Sequence, residues 1–258
     1  MSEAAPKTVD TRDDPLGAFR EAVRSDLMEL AVLHGCELNP GRARQLREAD
    51  FPRGLGLALH SVRGREALDL LARGVSDASL ADQHGLDELA ADFAAIYLTH
   101  ALRASPCESV WTDPDGMTLQ EATFQVRDWY RRYALQASDW RKQADDHLVC
   151  QLQFLAHLFD PAAGDLGSLR DAARFLDEHL LRWIDGFATR VAGRCATSFY
   201  AGLSLLTAAY LTELRELLAE LLDQPRPAPE EIEARMRSRR PAVAESAPAV
   251  SVPAGPSW

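Results

Sequence analysis

The chain has 258 residues, 47% of them hydrophobic and 26% charged, and a formal net charge of −11. That balance provides a real core for one large or two small domains. It argues against nucleic acid as the main partner, because phosphate binding calls for a basic surface. The four cysteines, Cys36, Cys107, Cys150 and Cys195, stand far apart in sequence, which excludes a Cys-x-x-Cys motif and fits a reducing, cytoplasmic setting.

Residues 1–14 read as a disordered leader, polar and without the basic start and apolar core of a signal peptide. Asp14-Pro15 opens a helix that runs to about His34, with Leu16, Phe19, Val23, Leu27, Leu30 and Ala31 at helical spacing and Gly35 as its stop. After the turn Asn39-Pro40-Gly41, short helices are expected over 41–48 and 55–73. Ser76 or Ser79 caps a helix whose core face is Leu86, Leu89, Phe93, Ile96 and Tyr97. Residues 105–117 form a loop, and Thr118-Leu119-Gln120-Glu121 reads as a capping box for a helix carrying Phe124, Val126, Trp129, Tyr130 and Tyr133.

Residues 136–146 are a polar connector. Helices follow over about 146–159, 168–181, 183–194 and 198–222, the last with the stripe Phe199, Leu203, Leu206, Tyr210, Leu214, Leu217 and Leu221. Residues 223–258, mixed in charge and then rich in Pro, Ala, Ser and Val, read as a tail without stable structure, mostly disordered. Its arginine cluster is either solvated or faces an acidic partner. No segment alternates with a period of two, and the longest apolar run, 203–211, is interrupted by Ser204 and Thr207. Spanning a bilayer takes about 20 such residues, so no stable membrane insertion is expected. The reading is all-α: a bundle of about ten helices in two lobes, 15–135 and 147–222, joined by a hinge at 136–146.

Familiar reaction chemistry is missing from the sequence. None of the seven histidines has a carboxylate three positions before it, and no His-x-x-x-His pair occurs, so a metal site in the bundle is not expected. A phosphate loop, a dinucleotide fingerprint and a Gly-x-Ser-x-Gly elbow are all absent. In Asp145-Asp146-His147, neighbouring side chains on a helix point about 100° apart, which argues against an acid–base pair. Asp146 is read as the helix N-cap with His147 at the first helical position, or else as part of a binding site. Pro106 fixes a turn and Trp111 plugs the core below it. Cys107 has no base close in sequence to activate it.

Several of these stretches occur together and in order. They are Ala91-Asp92-Phe93-Ala94-Ala95-Ile96-Tyr97, then Pro106-Cys107-Glu108-Ser109-Val110-Trp111, then Asp146-His147, then His179-Leu180-x-x-Trp183 with Phe187 and Ser198-Phe199-Tyr200. Over about 15–222 this series resembles the TorD/DmsD/NarJ family of redox-enzyme maturation chaperones. The chain departs from the family pattern at Ser105, at Gln143-Ala144 and at Gln151. The resemblance implies a TorD-like chaperone that is not an enzyme and carries no cofactor. Its partners would be the catalytic subunit of a molybdopterin oxidoreductase and the twin-arginine signal peptide of that subunit, and the chaperone itself would be a monomer or homodimer. It further implies a client site in which Phe93, Ile96 and Tyr97 build an apolar groove. Pro106, Ser109 and Trp111 would form one wall, with Asp146 and His147 at the hinge. The competing readings are a helical ligand-responsive transcription regulator, for which the 38–75 region is only mildly basic, and a helical enzyme with an organic substrate.

Overall fold

The computed structural model describes residues 14–77, 82–137, 143–163 and 165–238. Among them are eleven α-helices and no strand. They are α1 (Pro15–Gly35), α2 (Pro40–Glu48), α3 (Val62–Ser76), α4 (Gln83–Phe93), α5 (Ser109–Thr112), α6 (Glu121–Arg132), α7 (Leu148–Leu158), α8 (Gly167–Glu178), α9 (Ile184–Ala192), α10 (Ser198–Leu222) and α11 (Pro229–Ser238). A π-helical turn, Ala94–Leu98, prolongs α4, and a 3-10 turn, Leu180–Arg182, joins α8 to α9.

Local caps explain several starts. Asp14, Asn39, Ser61 and Asp82 each accept a hydrogen bond from a backbone N–H in the first turn of the helix that follows. Pro15 and Pro40 occupy the first turn of α1 and α2, where no N–H is needed. The leader to residue 13 lies outside the described residues, as do Ser79 and residues 138–142 of the connector.

The structure differs from the sequence reading at several boundaries, and α5 lies inside the expected loop 105–117. The helix expected over 55–73 starts only at Val62, because the backbone N–H groups of Gly56 and Leu57 donate to the Asp26 carboxylate at 2.9 and 3.0 Å instead of entering a helix. Asp82, not Ser76 or Ser79, caps α4. The capping box at Thr118 does not form: Leu119 is left-handed at φ 59° and Gln120 precedes α6 without a side-chain cap. In the expected tail, Pro229–Ser238 is helical, with Pro229 at its start, Glu230 and Glu231 in the first turn and Arg235 and Arg237 in the last, all favourable to the helix dipole. Residues 239–258 lie outside the described set.

The described residues up to Arg226 belong to one compact unit, and α11 to a second. Within the first, α10 packs along α3 and α9, while α1 packs along α7. The α3–α10 contact is close enough to require two glycines. A Cβ on Gly202 would lie 2.6 Å from the Leu71 backbone, and one on Gly74 would lie 2.7 Å from the Phe199 nitrogen. The α10 stripe is buried at Phe199, Leu203, Leu206, Tyr210 and Leu214, then shifts to Leu218 and Leu222, leaving Leu221 44% exposed. Phe124 on α6 is 50% exposed.

Side chains distant in sequence tie down the loops. Asp92 accepts from the backbone N–H groups of Ala196 and Thr197 and from the Thr197 hydroxyl at 2.7–3.0 Å, so it serves the start of α10. Glu213 does the same for α3, accepting from His60 N–H and Ser61 N–H.

Candidate functional site

Three motif segments meet at one junction. Cys107 and His147 face each other in an isolated antiparallel bridge. Leu148 N–H donates to the Pro106 carbonyl at 2.7 Å, and Glu108 N–H donates to the Asp146 carbonyl at 3.1 Å. The loop that starts at Ser105 is thereby zipped onto the entrance of α7.

Asp146 does not cap α7. His147 does, its Nδ1 accepting from Val149 N–H at 3.1 Å. The Asp146 carboxylate, 0% exposed, instead accepts from Ser109 N–H at 2.7 Å and so caps α5 across the junction. Pairing with the Pro106 loop holds Asp146 one residue ahead of the cap position, which explains the shift from the expected register. Neighbouring Asp145 is held by Arg127 at 2.7 and 2.9 Å.

The centre of the junction is Glu108, fully buried. Its carboxylate accepts from Gln151 Nε2 at 2.8 Å, lies 3.1 Å from His179 Nδ1 and accepts from Arg182 Nη1 at 3.3 Å. The link to His179 and Arg182 brings in the third motif. Glu108 was not singled out as a site residue in sequence, where it is one letter within the Pro106–Trp111 motif; only the fold brings Gln151, His179 and Arg182 to it.

The eight candidate residues divide into two groups. Pro106, Ser109, Trp111, Asp146 and His147 come together here, and of these only Trp111 and His147 are partly exposed. Trp111 donates its indole N–H to the Ser105 carbonyl at 2.8 Å, lies under the Arg190 guanidinium at 4.4 Å and packs so closely on Gly186 that a Cβ there would sit 2.8 Å from the ring. Phe93, Ile96 and Tyr97 belong to a buried cluster. The Phe93 and Tyr97 rings are 4.9 Å apart, both near Tyr200, and the Tyr97 hydroxyl lies 2.6 Å from His34 Nδ1.

Burial favours the neutral forms of His34, His147, Cys107 and Cys150. Burial, with a smaller contribution from His100, pushes the His147 imidazole down to about 4. That matches an Nδ1 that accepts from Val149 N–H and sits 2.6 Å from the Gln143 amide. Burial pushes His34 down to about 3. The Cys107 and Cys150 thiols are pushed up to about 12, by burial first and then by Asp146 for Cys107 and by Asp145 and Asp146 for Cys150, so neither is a ready nucleophile. Among the described residues no cluster of three or more His, Cys, Asp or Glu stands close enough to hold a metal ion, and no helix is long and apolar enough to cross a membrane.

Beside the junction lies a groove of about 670 Å³ between α1 and α7, walled by Met28, Tyr130, Leu135, Val149, Cys150 and Phe154, with Gln143, Gln153 and His157 as polar members. Gln143 and Val149 both also touch His147. Met28 is 40% and Leu135 37% exposed at its rim. The sequence reading did not include this groove, since it joins α1 to a helix more than a hundred positions later.

Comparison with known proteins follows the same segments. The profile of the family described as nitrate reductase delta subunit matches residues 63–189. A chaperone protein TorD of Vibrio cholerae serotype O1 is 30% identical over 144 residues, which is 53% of this chain and 65% of that protein. A chaperone protein TorD of Shewanella loihica is 29% identical over 191 residues, 71% of this chain and 86% of that protein. The matched stretch thus spans a little under two thirds of the length of the Vibrio cholerae relative.

Proposed function

Because this chain belongs to the TorD/NarJ family, which takes in the nitrate reductase delta subunit and the TorD chaperones, we propose that it is a cytoplasmic chaperone for a molybdenum-containing oxidoreductase, without catalytic activity of its own. It binds the catalytic subunit, the twin-arginine signal peptide of that subunit, or both, and delays export until the cofactor is in place.

The observation that carries this reading is the apolar groove opening directly beside His147. Its walls suit the apolar stretch of a client segment, in the manner of a helix laid in a groove. Its glutamines can pair with a client backbone. Of the eight candidate side chains Trp111 and His147 are the two with exposed surface, so they touch the client, while the buried Pro106, Ser109 and Asp146 hold them and Phe93, Ile96 and Tyr97 stiffen the fold behind. The net charge of −11 draws in a cationic segment and raises its rate of capture.

Calorimetry with a synthetic peptide bearing two adjacent arginines ahead of an apolar stretch, and with an apo-oxidoreductase subunit, tests the proposal. Binding of at least one is expected. Met28→Glu and Leu135→Glu, at the exposed rim, should abolish it with the melting temperature unchanged. If neither probe binds, or if both rim variants bind as the wild type does, the reading fails.

A further inference from the structure

We infer that Glu108 is a positioning residue for client binding, acting through Trp111; the inference rests on the chaperone reading above. Its carboxylate ties its own loop to two other segments: α7 through Gln151, and the turn after α8 through His179 and Arg182. Several other polar groups of the junction are left unpaired. Asp146 Oδ1, Ser109 Oγ, Gln151 Oε1 and His179 Nε2 are buried and make no hydrogen bond among the described residues. In a seam of this kind, polar and only partly satisfied, the carboxylate that reaches both α7 and a guanidinium in the turn after α8 ties the most segments together.

Glu108 is also the root of the turn that carries Trp111. Its carbonyl accepts from Trp111 N–H at 2.9 Å and from Thr112 N–H at 3.2 Å. Its N–H fixes the same residue to Asp146, the residue that leads into His147. The backbone of Glu108 thus links the two partly exposed rings, and its side chain fixes that link to α7 and to the turn after α8. Without the charge, Arg182 loses an anionic partner and the loop keeps the Asp146–Ser109 bond but slackens against α7 and the turn after α8, so Trp111 is freer to leave its seat on Gly186.

The test compares Glu108→Gln with the wild type, alone and in a Trp111→Ala background, using the synthetic twin-arginine peptide in calorimetry. In the wild-type background the substitution should weaken binding by about tenfold, the scale of one charge-assisted hydrogen bond. In the Trp111→Ala background it should weaken binding by less than about twofold, because a residue that acts through Trp111 has nothing left to act on. Equal losses in both backgrounds, or a folded Glu108→Gln protein with wild-type affinity, overturn the inference. Fluorine NMR of protein labelled with 5-fluorotryptophan is read without any client. The Trp111 line, assigned by Trp111→Phe, should shift or broaden in Glu108→Gln, and an unchanged line overturns the positioning role even where the peptide fails to bind the wild type.

Discussion

Arg20 puts a guanidinium, 1% exposed, against the exit of α7, where it donates to the carbonyls of Leu158, Asp160 and Asp165 and to the Ser168 hydroxyl. The carbonyls at the C-terminal end of a helix carry partial negative charge and offset the buried cation. Arg20→Met keeps the stem and removes the donors, so several buried carbonyls lose their partner, at a cost of about 3 kcal/mol. Urea denaturation should show that loss; a change under about 1 kcal/mol would mean that the carbonyls find other donors. His34 gives a second prediction. Buried between the Tyr97 hydroxyl and the Thr207 hydroxyl, it is neutral in the fold down to about pH 3, whereas in the unfolded chain it takes up a proton near 6.5. The folded state binds fewer protons, so its advantage is complete above pH 6.5 and is lost as the pH falls from there toward 3, at roughly 1.4 kcal/mol per unit. His147 adds to the same acid slope, over 6.5 down to about 4. Denaturation midpoints between pH 7 and 4.5 should fall in the wild type and fall less in His34→Gln, if that variant folds with the same helix content. Little of this was legible beforehand: the apolar stripe of α1 was plain, but Arg20 and His34 look like ordinary polar letters until residues about 140 and 170 positions away close over them.

At the scale of elements, the α3–α10 crossing sets two effects against each other. Gly→Ala inside a helix gains up to about 1 kcal/mol in propensity. At Gly202 and Gly74 the added methyl would meet backbone atoms at 2.6–2.7 Å, which cannot rotate away. Overpacking of that kind costs about 3 kcal/mol, so packing wins and both variants should lower the melting temperature by several degrees. Gly35→Ala is the control. Its methyl would meet only Val149 side-chain carbons at 3.5 Å, an ordinary contact, so it should be neutral or stabilising. The helices themselves were readable from periodicity, which is a local property of the chain. The start at Asp14 was readable from its local cap, whereas the local caps Ser61, Asp82 and His147 were missed, two of them beside segments held from elsewhere in the chain. Residues 55–61 were read as helix because nothing in their sequence reveals that Asp26 holds their N–H groups. Likewise Asp146 carries the letters of an N-cap and does cap a helix, but that helix is α5, entered 37 positions earlier in the chain.

For the whole molecule, the pairing of helices decides what can fold alone. The closest partners come from distant parts of the sequence: α1 with α7, and α3 with α10. Each of these helices has an apolar face that needs its partner's, and an isolated helix gains too little from its own hydrogen bonds to stand in water. A fragment ending at residue 135 contains α1 and α3 but neither partner, so it should give no cooperative thermal transition and should bind hydrophobic dyes. A chain ending at Arg226 keeps every helix of the first unit, and it keeps Arg226 itself, which lies 3.2 Å from the Asp177 carboxylate that Arg215 also grips at 2.9–3.0 Å. It should therefore melt in one step. Ending the chain at 222 removes Arg226 and the Gln224 carbonyl on which Arg215 also donates. That shorter chain should melt lower than the one ending at Arg226. If the two melt together, the clasp around Asp177 contributes nothing to the fold.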